Sequence, residues 1–245
     1  MVYIQHADSL TALGETQASW RGLSEGRVAL ERRSVPHVEG EDLVPQAWLY
    51  DTQVEGRPRW WGHLERLRQA LPDRPWGSES YPIYVTSSNY GIDYLFELSI
   101  DRETEAVRRW ATPHHLVSEI REAFGWGPNV TIYSHACVTG QLGLLQAERA
   151  VSSGRAEQAL VFSFDFLSPF VIGGFHSLKI LNEGMPAPYH DGESGSIGLG
   201  EGRLQWSLGR NPVISASNRR CCSMKCTTLR PMHRMVPGSV RSLSY

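Results

Sequence analysis

Apolar and polar residues alternate with two different periods along the first 202 positions, and this pattern predicts strands separated by helices. Short β-branched or apolar runs bounded by polar residues indicate strands. The predicted strands are residues 2–6, 82–88, 130–134 and 159–164. Apolar residues spaced by three and four indicate helices that bury one face. The predicted helices are residues 15–24, 61–71, 113–124, 141–152 and 168–181.

The order of these elements predicts the α/β fold class. Alternating strands and helices form βαβ units, which place helices on both faces of a mostly parallel sheet. The helix at 141–152 carries apolar side chains almost all round, which is typical of a buried helix. Residues 34–60 are rich in proline, glycine and charge and are predicted to be mostly loop.

Composition narrows the class of protein without identifying a function. The chain has 245 residues, of which 41% are hydrophobic, 20% are charged and four are cysteines, with a net charge of −2. A core is therefore expected, but no disulfide framework and no nucleic-acid partner. No apolar run approaches the ~20 residues of a membrane helix and no signal peptide is apparent, so we expect a cytoplasmic protein without a membrane partner. Glycines 198, 200 and 202 lack dinucleotide-site spacing, and no cofactor is predicted.

The charge is divided sharply between two parts of the chain. All 26 acidic residues lie at or before Glu201, so residues 1–202 carry a net charge of −10 and residues 203–245 carry +8. The tail at 203–245 is predicted to be a frameshifted or truncated product, or a basic disordered segment. Two less favoured alternatives are nucleic-acid binding and metal binding. The candidate metal ligands are Cys221, Cys222, Cys226 and His233, which lack a complete four-ligand spacing.

Cys137 is the candidate catalytic residue because of where the pattern places it. The predicted strand at 130–134 runs into a short turn that contains Cys137, and a helix follows. The carboxyl end of a parallel strand is where α/β proteins bind ligands. The helix N-terminus favours a thiolate, and the Cys137 N–H is a candidate donor to an oxyanion on a thioester. Small neighbours (Ala136, Thr139 and Gly140) leave room for a substrate. The alternative is a buried cysteine that packs as a small hydrophobe.

Several segments, in register, resemble the β-ketoacyl-acyl-carrier-protein synthases. The sequence Ser-His-Ala-Cys-Val-Thr-Gly at 134–140 is similar to the family's nucleophile segment. Residues 168–181 resemble its Ser-Pro…Gly-Phe helix, and residues 198–202 match its Leu-Gly-Glu-Gly strand start. The remaining similar segments are residues 12–14, 86–93, 150–160 and 189–191.

The resemblance covers residues 1–202 and implies an N-terminal-half domain of the thiolase-like fold. It implies that Cys137 accepts an acyl group in a decarboxylative condensation of fatty-acid or polyketide synthesis. The implied partners are an acyl carrier protein, acyl and malonyl thioesters, and either a second copy or another ketosynthase as dimer partner.

The sequence departs from the family in the residues of the condensation step. The family's two catalytic histidines, a lysine and a glycine-rich oxyanion loop stand in contexts that are absent here, and His233 matches neither histidine context. Residues 203–245 also lack the alternating Ala/Val/Leu strand expected after Gly202. We therefore expect acyl acceptance without condensation by this chain alone. The alternatives are a non-catalytic ketosynthase-like subunit or pseudoenzyme that acts through a dimer interface, and self-acylation or thioester hydrolysis.

Three other sites carry weaker expectations. His135 lies two residues before Cys137 and is expected in a core or an interface rather than as a catalytic base. His176 and Lys179 are expected on a solvated face. Phe170 and Phe175 are expected either in the core or beside an acyl pocket.

Overall fold

A computed structural model describes residues 1–36, 42–49, 61–92, 94–95, 110–181, 184–186 and 197–211. The strands are β1 (Tyr3–Thr11), β2 (Gly14–Glu15), β3 (Glu31–Ser34), β4 (Leu43–Ala47), β5 (Ile83–Thr86), β6 (Val130–Tyr133), β7 (Gln158–Asp165), β8 (Leu199–Gly200) and β9 (Gly202–Gly209). The helices are α1 (Thr16–Ser24), α2 (Trp61–Gln69), α3 (Pro113–Ala123), α4 (Thr139–Ser152) and α5 (Pro169–Ser177). Within these ranges, no helix has the length and apolar character that crossing a membrane requires.

The main sheet has six strands in the order β2-β1-β9-β7-β5-β6. Strands β6 and β7 run parallel to β5 and flank it, whereas β9 is antiparallel to both β7 and β1. The α/β class is therefore confirmed, but the sheet is mixed rather than mostly parallel. The βαβ pattern predicted parallel pairing. It did not predict β9, which lies between β1 and β7 and runs antiparallel to both.

A second sheet of three strands, β3-β4-β8, lies in part where the sequence predicted loop. Strand β3 is exposed along its whole length, and β4 contains Pro45, so neither shows the usual alternation of a strand. Glu201 joins this sheet to the main one. One of its carboxylate oxygens accepts a hydrogen bond from the Leu49 N–H at 2.8 Å, and the other accepts one from the Leu167 N–H at 2.9 Å.

Alternating residues of the central strands face two separate cores. In β5, Ile83 and Val85 pack with helices α2 and α3, whereas Tyr84 packs with α4 on the opposite face. In β7, Phe162 belongs to the first core and Val161 to the second. The two-residue period of a strand therefore places helices on both faces, as predicted.

Strand β9 shows that the body of the protein extends beyond the predicted boundary at residue 202. It pairs along its length with β1 and β7, and one compact unit runs from Met1 to Val213. The pattern was misleading because the buried face of β9 is polar. Arg203, Gln205 and Ser207 are each at most 3% exposed, whereas Leu204 is 38% exposed. Burial lowers the pKa of Arg203 to about 10.

Residues 212–245 of the predicted basic tail lie outside the described residues. This includes the candidate metal ligands Cys221, Cys222, Cys226 and His233. The disordered or frameshifted tail therefore stays a prediction for residues 212–245. Residues 203–209 belong to the main sheet instead.

We expect two shortened chains to differ sharply in folding. A chain that ends at Gly202 removes a central strand and leaves the inner edges of β1 and β7 unpaired, so it should lose the cooperative thermal transition. A chain that ends at Asn211 keeps β9 and should melt within a few degrees of the full chain. Circular dichroism melts measure both. A folded chain that ends at Gly202 would contradict the central role of β9.

Candidate functional site

The turn that carries Cys137 is held by the side chain of Thr139. Strand β6 ends at Tyr133, and α4 begins at Thr139. The Thr139 Oγ1 accepts a hydrogen bond from the His135 N–H and donates one to the Ala136 carbonyl, both at 2.6 Å. Because Thr139 is only 3% exposed, these bonds are shielded from water. The predicted order of strand, sharp turn and helix is therefore present.

Cys137 has a free and exposed thiol just before the first turn of α4. The preceding residue, Ala136, has φ +46°, which is unusual for a residue other than glycine. Such backbone conformations persist only when the surrounding structure imposes them. The exposure of Cys137 contradicts the alternative of a cysteine buried as a small hydrophobe.

Helix α4 packs against β5 through a close approach at Gly143. A Cβ placed there would lie 2.6 Å from Thr86 Cγ2, so a larger residue would push the helix away from the sheet. At Gly140, by contrast, a Cβ would meet nothing within 4 Å. Gly140 therefore leaves open space one turn after Cys137, as predicted. Thr139 does not leave room for a substrate, since its side chain fixes the turn.

A second polar turn follows β5, the strand next to β6. Its acceptor is Asp165, the last residue of β7. The Asp165 Oδ1 accepts hydrogen bonds from the Ser87 Oγ and from the Ser88 N–H, both at 2.8 Å. Ser87 Oγ also accepts the Tyr90 N–H at 3.0 Å. The two turns and the end of β7 therefore lie at the same edge of the sheet, the carboxyl end of its parallel strands.

Tyr90 connects this second turn to β6. Its side chain is 6% exposed, and its hydroxyl lies 2.7 Å from the Val85 carbonyl and 2.8 Å from the Tyr133 carbonyl. The Ser87 N–H also donates to the Tyr133 carbonyl, at 3.3 Å. Two groups from the turn after β5 therefore hold the last residue of the strand that leads to Cys137.

The electrostatics of this edge are dominated by burial. Burial raises the pKa of Asp165, and the hydrogen bonds from Ser87 and Ser88 oppose that rise. Burial also raises the pKa of the Tyr90 hydroxyl, and the negative charge of the Asp165 carboxylate raises this pKa further. A raised pKa means that folding favours the protonated acid, so this contribution to stability falls as pH rises from the ordinary carboxyl value through the raised one.

Of the other residues singled out in the sequence, His135 lies in the Cys137 turn, and the rest lie in α5 or just after it. His135 is exposed, so it does not lie in a core. His176, in α5, lies 3.2 Å from the Asp42 carboxylate. Lys179 is exposed, as expected, and so is Phe170, at 47%. Phe175 is partly buried against a core cluster.

Two further expectations, the metal site in the tail and part of the family resemblance, depend on residues outside the described ranges. Within the described ranges, no group of three His, Cys, Asp or Glu side chains is placed to hold a metal ion. The segment at 189–191 and Asp93, both used in the family resemblance, lie outside the described residues.

The sequence did not single out Asp165, Ser87, Tyr90 or the turn-fixing role of Thr139. One indication was present. Ser87 lies near the end of the predicted strand at 82–88, and Asp165 follows the predicted strand at 159–164. Polar residues at the carboxyl ends of parallel strands meet at one edge. The register of β5 against β7, which aligns Thr86 with Ser163, then brings the two residues together.

Comparison with known proteins identifies the fold. No protein-family model and no curated protein matches this sequence. Among solved structures, a β-ketoacyl synthase from Burkholderia phymatum has a TM-score of 0.66 at 17% identity, over 86% of this chain and 59% of its own. A chain of the ketosynthase–chain length factor complex from Xenorhabdus doucetiae has a TM-score of 0.63 at 18% identity, over 86% and 58%. The ishigamide ketosynthase/chain length factor has a TM-score of 0.59 at 16% identity, over 85% and 62%.

These matches confirm the thiolase-like fold and the structural resemblance to ketosynthases. Identities of 16–18% establish a fold and not an activity. The chain spans 58–62% of the length of these three proteins, so the likeness is to part of each.

We expect opposite effects from alanine at the two glycines of α4. Gly143→Ala should cost about 1–3 kcal/mol, because its methyl group overlaps the Thr86 side chain. Gly140→Ala should leave stability unchanged or raise it by up to about 1 kcal/mol, because it adds helix propensity without a contact. Chemical denaturation measures both changes. Equal destabilisation by the two variants would contradict the close packing of α4 on β5.

Proposed function

We propose that this chain is a ketosynthase-like acyltransferase in which Cys137 accepts an acyl group from an acyl-carrier-protein thioester. The observation that carries the proposal is the free, exposed thiol on a turn fixed by Thr139, between a parallel strand and a helix. The fold shared with ketosynthases supports it. A buried cysteine would have supported a packing role instead.

The proposed reaction is thioester exchange. The Cys137 thiolate adds to the thioester carbonyl carbon, and the carbonyl electron pair moves onto oxygen. The intermediate then collapses with cleavage of the carrier's carbon–sulfur bond, which leaves the acyl group on Cys137. The carrier departs as a thiolate and takes up the proton that the Cys137 thiol released. No oxidant or metal is needed to balance this step.

The backbone provides the electrostatic part of the proposal. Hydrogen-bond donors aimed at the developing oxyanion lower the barrier because they need no reorganisation during the reaction. We assign this role to the Cys137 N–H, at the start of α4. Open space beside Gly140 gives the acyl chain a path to the sulfur.

We expect acyl transfer to be detected by intact mass spectrometry. Incubation with an acyl-acyl-carrier protein should add the mass of one acyl group to the full chain. Cys137→Ala should abolish the adduct, since it removes the nucleophile. The matched control is the triple change Cys221→Ala, Cys222→Ala and Cys226→Ala, which should keep it. An adduct that persists in Cys137→Ala, or none with any acyl donor, would refute the proposed nucleophile.

Condensation is expected to fail with this chain alone. The family performs that step with two histidines and a lysine whose sequence contexts are absent here. Addition of malonyl-acyl-carrier protein to the acylated chain should therefore give no β-ketoacyl product. Detection of that product by mass spectrometry would show that other residues replace the histidines.

A second candidate function, pairing with another ketosynthase-like chain, is favoured by the edge of the main sheet. Strand β6 pairs with β5, and no other described strand lies on its outer side. Asn129 and Tyr133 direct their carbonyls towards β5, so the alternate residue Ile132 directs its backbone groups outwards. Edge strands with free backbone groups are templates for pairing with another chain. Two of the matched structures are themselves ketosynthase–chain length factor assemblies.

The outer face of α4 supports the same candidate. The sequence predicted a buried helix, but Leu145 of α4 is 40% exposed, and Val138, which immediately precedes α4, is 50% exposed. One side of α4 packs on β5 and β7, and Leu145 on the other side is partly exposed among the described residues. Exposed apolar faces beside an unpaired edge mark interaction surfaces.

We expect charge changes at Thr131 to control dimer formation. Thr131 is exposed in the middle of β6, so two copies paired antiparallel about a two-fold axis bring their residues 131 close together. Thr131→Lys and Thr131→Glu should each dissociate the dimer through like-charge repulsion, and an equimolar mixture should restore it. Sedimentation velocity measures the three samples, with Thr131→Ser as the control that stays dimeric.

The oligomeric state distinguishes pairing between two copies of this chain from pairing with another ketosynthase. A wild-type chain that stays monomeric alone but binds a complete ketosynthase would indicate heterodimer formation. Dimers of both charged variants would show that β6 is not the interface.

A further inference from the structure

Two turns at the carboxyl edge of the main sheet share an unusual feature. Tyr90 has φ +28° and Ala136 has φ +46°, both rare for residues other than glycine. The first lies in the turn after β5 and the second in the turn after β6, and these strands are neighbours. We propose that Asp165 is a positioning residue for Cys137 and that Asp165 acts through the turn at Ser87–Tyr90. The inference deepens the proposed acyl-transfer function and takes its functional meaning from it.

The first link between Asp165 and the Cys137 turn is the hydrogen-bond acceptor, Asp165 Oδ1. Asp165 Oδ1 receives the Ser87 hydroxyl and the Ser88 N–H, each at 2.8 Å, so one oxygen fixes both a side chain and the backbone of the turn. Asn89 adds a third contact, since its side-chain amide donates to the Phe166 carbonyl at 3.0 Å. The end of β7 therefore holds three consecutive residues of the turn.

The second link carries this constraint across to β6. With Ser87 fixed, its Oγ accepts the Tyr90 N–H, and its own N–H donates to the Tyr133 carbonyl. The Tyr90 hydroxyl lies 2.8 Å from the same carbonyl. The contact nearest to the nucleophile is a long one, 3.5 Å from the Ser134 Oγ to the Ser88 carbonyl.

The third link is the nucleophile turn itself. Tyr133 and Ser134 immediately precede the residues that Thr139 fixes from the other side. The Cys137 turn is thus held at its start by the network of Asp165 and at its end by Thr139. A residue with φ +46° inside such a turn relaxes if either support is lost.

Asp165 acts on Cys137 at a distance. It ends β7, which is separated from β6 by β5, so its backbone lies two strand spacings, roughly 10 Å, from the strand of the nucleophile, and its carboxylate contacts the turn after β5. The described hydrogen bonds of this carboxylate go to Ser87 and Ser88 and none goes to Cys137, so the geometry gives no direct path for proton transfer between Asp165 and Cys137. The geometry supports a role for Asp165 in orienting the turn. A nucleophile displaced by about 1 Å can react about 100-fold more slowly.

The test compares three variants of the full chain. Asp165→Ala removes the acceptor, so acyl transfer to Cys137 should slow at least about tenfold, and amide hydrogen exchange in residues 134–139 should quicken at least about tenfold. Asp165→Asn keeps an Oδ1 acceptor and should stay within about twofold of wild type in both. Ser163→Ala is the matched control. It removes the 2.6 Å hydrogen bond with Thr86 between the same two strands, and it should change neither readout.

Tyr90→Phe provides a second route if Asp165→Ala does not fold. It removes the hydroxyl that contacts the Tyr133 carbonyl and should speed exchange in residues 134–139 as Asp165→Ala does. The proposal is overturned if Asp165→Ala, or Tyr90→Phe in its place, leaves exchange at the level of Ser163→Ala. It is also overturned if Asp165→Asn is as damaging as Asp165→Ala.

Hydrogen exchange separates this proposal from the proposed function. If the wild-type chain accepts no acyl group but Asp165→Ala still loosens residues 134–139, the acyl-transfer function fails and the positioning network stands. If the wild-type chain is acylated and hydrogen exchange is unchanged in Asp165→Ala, the acyl-transfer function stands and the positioning network fails.

Discussion

The pairing of β9 with β1 on one side and β7 on the other joins the two ends of the described chain within one sheet. Without it, β1 would have only the two-residue β2 as neighbour, and β7 would be an edge. Glu201 immediately precedes β9, and its two carboxylate oxygens hold the Leu49 and Leu167 backbones. The same short stretch therefore closes the main sheet and attaches the smaller one. Among the parallel strands that support Cys137, β7 depends on this closure for the pairing of its outer edge.

The site is built at the edge where β5, β6 and β7 end together. Parallel strands bring their carboxyl ends to one side of a sheet, so the turns after β5 and β6 and the last residue of β7 meet there. Polar groups on these turns satisfy one another rather than water. Asp165 and Thr139 each bind two groups, and both act on backbone positions near Cys137. An exposed thiol is therefore set on a backbone that is restrained from both sides.

Two surfaces near Cys137 are apolar or unpaired, and both follow from the same architecture. A mixed sheet that ends in a parallel strand leaves that strand with one free edge, here β6. A helix that crosses between parallel strands packs one side on the sheet, which leaves Leu145 on the other side of α4 partly exposed, next to the exposed Val138 that precedes the helix. Chemistry at Cys137 and association through β6 and α4 would therefore occupy adjoining parts of one unit, and neither requires the other.

The sequence by itself determined the local elements, because periodicity reflects which side of a strand or helix is buried. It predicted the strands at β5, β6 and β7, the helices that follow them and the turn that presents Cys137. It missed β9 because burial there falls on Arg203, Gln205 and Ser207, and it missed β4 because polar and proline residues hide the pattern. Only the tertiary structure decided the mixed order of the sheet and the contacts of Asp165, since strand register brings together residues that are 77 and 78 positions apart.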